Sequence, residues 1–359
     1  MKRLRAREAG VPLPGTPGAL NGITDVGRVE VGMTTLIEGE SVRTGVTAIH
    51  PRGRAGTALS CVAGFHSFNG NGEMTGISWI RETGTMNGPV CITNTHAVGV
   101  VHQAVIRWTR RNRPEATQPW LLPVVGETWD GYLNDIDGEH VSVEDAVGAL
   151  EGATADRVEE GSAGGGTGMN CYHFKGGSGT ASRVFEVGRQ TRTVGVFVQA
   201  NFGSRRELVI AGVPVGRELL ADDPMEAFFN APAGSGSIIG VAITDAPLLP
   251  LQCEALARRM ALGVGRTGTT GSHYSGDLFL GLSVADVETP GLEPEPESTL
   301  GYVSWARMDP LFEAVVQATE EAVLNALFVN EEMVGRGGHR SPALPVDRVM
   351  ELLRARGVV

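Results

Sequence analysis

The stretch FNAPAGSGSIIGVAITDAPLLP, residues 229–250, constrains the chain more than any other. Its first half carries Pro232, Gly234 and Gly236 among small residues and reads as loop. Its second half, 238–243, is apolar and partly β-branched, the pattern of a buried strand. No turn chemistry separates the two halves, and Ser237 stands at the junction.

A serine hydroxyl can attack the carbonyl of the residue before it, forming an ester that water hydrolyses. Glycine at that preceding position removes the side chain that would block the attack and tolerates a strained peptide. Cleavage between Gly236 and Ser237 would leave Ser237 as a new N-terminus. Its α-amine, with an ordinary pKa of about 7.7–8.0, could act as general base for its own hydroxyl, in place of the histidine of a triad. The strand behind it would hold the nucleophile still. Ser235 lies in the same loop and competes for the role; Ser237 is favoured because it abuts the strand.

A second constellation is HYSGDLFL, in which Ser275 and Asp277 are two residues apart. In an extended segment both side chains share a face, where they could orient the Ser237 amine and hydroxyl.

Composition narrows the alternatives. The 359 residues are 42% hydrophobic, an ordinary globular balance. With 30 basic against 41 acidic residues the net charge is -11, which argues against nucleic-acid binding. No apolar window reaches the length of a membrane span, and the basic start MKRLRAREAG is followed by no apolar signal segment, so a cytoplasmic location is expected. Cys61, Cys91, Cys171 and Cys253 show no zinc spacing, and the eight histidines show no ligand pattern, so neither metal nor cofactor is expected. There is no GxSxG, no HExxH, and GGGTG at 164–168 lacks the lysine of a phosphate loop. Cys171 with His173 is too close in sequence to make a working nucleophile–base pair.

Along the chain, residues 1–20 read as an irregular lead-in, and short strands between glycine turns run from 23 to 99, including GPVCITNTHAVGVV as the last of them. Helices are expected at 102–113, at 142–153 with Ser142 as cap and Asp145 at the capping-box position, at 248–262, at 309–329 with Asp309 as cap, and at 346–356. TVGVFVQANFG, RELVIAGVPVG and GDLFLGLSVA read as further strands. The 50 glycines suit tight turns and close approach of packed sheets, and the whole argues for layered sheets and helices.

Several long, ordered motifs carry a family resemblance. GNGEMTG, ITNTHAVGVV, GETWDGYLNDIDG, GGGTGMNCYHFKGGSGTASR, VQANFGSRRELVIAGVPVG, GSIIGVAITDAPLLP and ARRMALGVGRTGTT with SGDLFLGLS resemble the self-processing serine aminopeptidases, the family of L-aminopeptidase/D-esterase and the β-peptidyl aminopeptidases. The resemblance covers roughly residues 15–345. It implies an α/β fold, a four-layer αββα sandwich like the N-terminal-nucleophile hydrolases but with different connectivity. It implies one catalytic domain over 1–359, self-cleaved before Ser237 into 1–236 and 237–359. Ser275 and Asp277 match the family's auxiliary serine and acidic residue, and Asn201 its oxyanion asparagine. Tyr132 matches the tyrosine that assists there, with Trp129 close by in sequence. Glu127, Asp130, Asn134 and Asp135 are candidates for binding the substrate ammonium, with no choice among them; Lys175 has no assigned role. The implied substrates are small peptides and aminoacyl amides or esters, and the implied assembly is a homo-oligomer, a tetramer of αβ units. Two alternatives stay open: an acyltransferase of the ornithine-acetyltransferase type, which uses threonine at the cut, and an unprocessed non-catalytic scaffold.

Overall fold

The structure, a computed structural model, describes residues 3–117, 120–226, 228, 236–285 and 299–359. Ser235 and the loop immediately before it lie outside the described residues.

In chain order the strands are β1 (Glu30–Glu38), β2 (Val42–His50), β3 (Cys61–Ser67), β4 (Thr85–Met86), β5 (Val90–Asn94), β6 (Val124–Thr128), β7 (Asn170–Cys171), β8 (Phe174–Lys175), β9 (Gly177–Val187), β10 (Gln190–Asn201), β11 (Gly236–Thr244), β12 (Ser275–Ser283), β13 (Met333–Val334) and β14 (Arg340–Ser341). The helices are α1 (Ile77–Thr83), α2 (Val98–Asn112), α3 (Val143–Glu151), α4 (Pro250–Arg266), α5 (Asp309–Phe328) and α6 (Val346–Ala355).

The larger strands form two sheets. One is four-stranded in the order β1-β2-β5-β6, the other six-stranded in the order β4-β3-β12-β11-β10-β9. An apolar layer between them joins Ile49, Ile92 and Val124 to Ile239, Val241 and Leu280. Val101, Val105 and Trp108 of α2 and Ala146, Ala149 and Leu150 of α3 cover the outer face of the four-stranded sheet. On the other side Leu256 and Met260 of α4 and Val315 and Ala322 of α5 pack against Ile238, Phe279 and Val196. The result is a four-layer αββα sandwich, as expected.

Burial explains the sequence patterns. β11 lies second-in from neither edge and is apolar on both faces, because one faces α4 and α5 and the other the second sheet. Its pairing with β12 is parallel and with β10 antiparallel. α5 is buried over nearly its whole length between β9 and α4, and its polar stripe of Gln317, Glu321 and Asn325 is held by ion pairs and hydrogen bonds inside the protein.

The helices expected at 142–153, 248–262, 309–329 and 346–356 are present, and Ser142 and Asp145 form the reciprocal cap, Oγ accepting from the Asp145 N–H at 3.1 Å and Asp145 accepting from the Ser142 N–H at 2.9 Å. The chain departs from its local sequence pattern at three places. Asp309 is inside α5 and Met308 precedes it, because a 3-10 turn at Trp305–Arg307 runs straight into the helix. GPVCITNTHAVGVV is not one strand: β5 stops at Asn94, whose side chain accepts from the His96 and Ala97 N–H groups at 3.0 and 2.9 Å and turns the chain into α2. RELVIAGVPVG forms 3-10 turns about an Ile210–Val213 bridge, since Ala211 and Gly212 at φ 49° and 79° fold the backbone on itself.

Candidate active site

Ser237 is the second residue of β11, 5% exposed, where β10 ends and β11 and β12 begin side by side. Its Oγ donates to the Gly236 carbonyl at 2.7 Å and accepts from the Gly276 N–H at 3.2 Å. A cavity of about 420 Å³ opens over it, lined also by Asn201, Glu127, Trp129, Asn170 and Tyr274.

Asn201 ends β10 directly opposite Ser237. Its Oδ1 accepts from the Asn170 N–H at 2.8 Å and its Nδ2 donates to the Trp129 carbonyl at 2.9 Å. The two bonds set the amide's orientation, and the second Nδ2 hydrogen remains for a group bound in the cavity.

Ser275 and Asp277 share a face of β12, as the spacing implied, and Ser275 Oγ donates to Asp277 Oδ1 at 2.5 Å. Asn69 Nδ2 donates to the other carboxylate oxygen at 2.9 Å. The parallel register sets Ser275 beside Gly236, Gly276 beside Ser237 and Asp277 beside Ile238. Ser275 and Asp277 therefore lie on the sheet face opposite the Ser237 side chain. They flank the backbone around the Ser237 nitrogen, and it is backbone, not this pair, that holds the hydroxyl. Burial raises the Asp277 carboxyl above its ordinary value, partly offset by the bonds from Ser275, Asn69 and the Ile238 N–H.

Of the four ammonium-binding candidates, Glu127 alone lines the cavity. It is 3% exposed; Oε1 accepts from the Glu73 N–H at 2.9 Å and Oε2 from Thr95 Oγ1 at 2.5 Å. Burial raises its carboxyl, with the Thr95 and Glu73 bonds acting the other way. Asp130 is buried behind the site, bonded to Asn134 Nδ2 at 3.1 Å, its carboxyl pushed up to about 7 by burial. Asn134 Oδ1 takes the Arg43 N–H, and Asp135 sits near His140 and Arg336 on the half-exposed surface. The sequence could not separate them, because only β6 and its register decide which side chain turns inward.

Tyr132 is likewise away from the cavity lining: its hydroxyl donates to the Arg340 carbonyl at 3.2 Å and its ring stacks on His339. Trp129, the first residue after β6, occupies the wall instead. Cys171 is fully buried with its thiol pushed up by desolvation, and is no nucleophile. Lys175 is buried too. Its ammonium, brought down to about 7 by burial, donates to the Met169 and Gly176 carbonyls at 2.7 and 2.8 Å and ties the glycine-rich loop together.

Thr95, Asn170, His173 and Met225 also line the cavity without having been singled out for it. Asn170 and His173 come from one hairpin, Thr95 and Met225 from two other segments, and no spacing signal joins the three. Among the described residues no cluster of three or more His, Cys, Asp or Glu is placed to hold a metal ion, and no helix is long and apolar enough to cross a membrane.

The geometry has close counterparts. The model of peptidase family S58 matches residues 21–341. The chain is 46% identical to a β-peptidyl aminopeptidase of Sphingosinicella microcystinivorans, over 98% of this chain and 92% of that one, and 44% identical to one from Sphingosinicella xenopeptidilytica, over 98% and 91%. Among solved structures, the L-aminopeptidase D-Ala-esterase/amidase of Ochrobactrum anthropi superposes with a TM-score of 0.93 at 43% identity, covering 98% of this chain and 99% of that one. It is described as a prototype of the serine aminopeptidases and a variant of the N-terminal-nucleophile hydrolase fold. A Burkholderia β-aminopeptidase superposes with a TM-score of 0.91 at 42% identity, covering 99% of each chain.

Proposed function

The chain belongs to peptidase family S58 and is a serine hydrolase of the N-terminal-nucleophile type, and from that premise we propose that Ser237, freed by cleavage of its own Gly236–Ser237 bond, is the nucleophile of an aminopeptidase. One observation carries the reading: Ser237 Oγ lies 2.7 Å from the Gly236 carbonyl oxygen, on the cavity floor, with Asn201 across the sheet.

In self-cleavage Ser237 Oγ bonds to the Gly236 carbonyl carbon, the C–N bond breaks, and the hydroxyl proton passes to the released amine. Water then hydrolyses the ester, giving 1–236 and 237–359. In turnover the Ser237 amine takes the hydroxyl proton as Oγ attacks the substrate carbonyl. The Asn201 amide donates to the oxyanion, the kind of preorganised contact that often contributes most to rate. Ser275 and Asp277, flanking the Ser237 backbone, hold the amine in place. The buried Glu127 carboxylate takes the substrate ammonium, which restores the solvation lost on burial.

The substrates inferred are small peptides and aminoacyl amides or esters, matching the activities for which the relatives are named. A tetramer of αβ units is inferred with them, and native mass tests it. The primary test is the intact mass of the denatured protein. Two species, the smaller beginning Ser-Ile-Ile, with aminoacyl p-nitroanilide hydrolysis lost in Ser237→Ala, support the proposal. A persistent single 37.8 kDa chain overturns it.

A further inference from the structure

His173 and Asp223 form a second polar centre, which reaches the same cavity through His173. His173 Nδ1 and Asp223 Oδ2 are 2.8 Å apart, and His173 lines the cavity that contains Ser237. The ring is carried on a two-residue turn between β7 and β8, with Tyr172 at φ 53° and His173 at φ 55°. Left-handed backbone at two successive bulky residues is unusual where Asn-Gly is preferred, and such strain concentrates at functional positions. Surrounding bonds enforce it. Arg205 donates to the Tyr172 carbonyl at 3.2 Å and to the His173 carbonyl at 2.5 Å, and the Tyr172 N–H donates to the Phe202 carbonyl at 2.7 Å. Burial raises the Asp223 carboxyl, but the hydrogen bond and charge of His173, with Arg205, more than offset this and hold it below the ordinary carboxylate value.

The position of the turn gives it a side of the reaction. A Cβ on Gly72 would meet Gly276 Cα at 3.1 Å and Glu127 Oε1 at 3.3 Å, so Glu127 stands on the β12 side of Ser237. The turn stands on the β10 side, since Asn170 at its base bonds Asn201 and Tyr172 bonds Phe202. A substrate with its ammonium on Glu127 and its carbonyl at Ser237 and Asn201 extends its leaving group toward His173.

We propose that His173, oriented by Asp223, is the proton donor to the leaving amine; this rests on the Ser237 reading above. After Oγ attack the proton of Ser237 is on its own amine. Collapse of the tetrahedral intermediate breaks the substrate C–N bond, and the departing nitrogen takes the Nε2 proton of the His173 imidazolium, leaving as neutral amine. Water then adds to the ester carbon and returns a proton to Nε2. The C–Oγ bond breaks, and Oγ recovers its proton from the Ser237 ammonium. Amide and water yield acid and amine, and both bases return to their starting state.

The test is kcat/KM on aminoacyl anilides graded from p-methoxy to p-nitro, which share a shape but differ in the basicity of the leaving group. Self-cleaved His173→Ala is expected to lose roughly 10²-fold or more on the p-methoxyanilide and progressively less toward the p-nitroanilide. Asp223→Asn is expected to tilt the series in the same direction. Parallel loss across the series in both variants, as a structural or binding role would produce, overturns the proposal. A burst with an aminoacyl p-nitrophenyl ester reads the Ser237 assignment separately: its absence from the wild-type enzyme would count against that assignment and remove the basis of this one.

Discussion

Asn201 and Ser237 pair directly across β10 and β11, and the Asn201 amide is pinned by the Asn170 N–H and the Trp129 carbonyl. Orientation at this position is therefore set before any substrate arrives. Asn201→Ala should lower kcat by about 10²–10³-fold with little change in KM. Steady-state kinetics on the self-cleaved variant decides; a rise confined to KM would place Asn201 in ground-state binding instead.

Gly236 is packed more tightly than its place at the loop end suggests. A Cβ there would stand 2.1 Å from the Asn201 carbonyl oxygen and 2.9 Å from Phe202 Cα, both backbone atoms. Gly236→Ala must part β10 from β11 at the scissile bond, so self-cleavage should slow sharply. A time course of the two fragments on a denaturing gel measures it, and a wild-type rate would show that this contact is immaterial.

The raised carboxyl of Glu127 sets a direction for pH dependence. Ammonium binding needs the carboxylate. As pH falls through the raised value the group protonates, and kcat/KM should decline at a higher pH than an ordinary glutamate would impose. Glu127→Gln should abolish that limb and raise KM about 10- to 100-fold, the size of a hydrogen bond to a charged group. A profile unchanged in the variant would assign the limb elsewhere.

Away from the site, Glu321 of α5 is fully buried between Arg183 at 2.6 Å and Arg7 at 2.7 Å, and accepts from Asn21 Nδ2 at 2.7 Å. Burial raises its carboxyl, but the Arg7 bond, the Arg183 charge and the Asn21 bond outweigh it, and the net shift is downward. A depressed folded-state value stabilises fully above the unfolded value, and that stability is lost as pH falls through the folded one. Glu321→Gln should cost about 3–5 kcal/mol at pH 7 by taking from the buried Arg183 its hydrogen-bonded carboxylate, and the gap to wild type should narrow in acid. Urea midpoints at the two pH values test both statements.

Several features were legible in the chain alone because they are local. Ser142 with Asp145 caps α3, the apolar run after Ser237 forms β11, and two residues of separation bring Ser275 to Asp277. The glycine–serine junction pointed to Ser237 on chemistry that needs only two neighbouring residues. RELVIAGVPVG is no strand for the converse reason: its apolar side chains do enter the core, but Ala211 and Gly212 fold the backbone before a strand can form. The exchange of Tyr132 for Trp129 in the cavity wall had no signal either, since both lie within the same short segment.

Patterns of adjacent residues suffice for the layered α/β class, the family and the residue pair at the proposed cut. Tertiary structure decided which polar groups meet. Glu127 faces the cavity while Asp130, Asn134 and Asp135 do not, because β6 is registered in parallel with β5 and the chain turns away after Thr128. Ser275 and Asp277 lie on the face opposite the Ser237 hydroxyl because the parallel register places Gly276 beside it. His173 reaches the same cavity as Ser237 because a left-handed turn packs against the end of β10. Strand register and turn handedness are set by partners distant in the chain, and no local pattern encodes them.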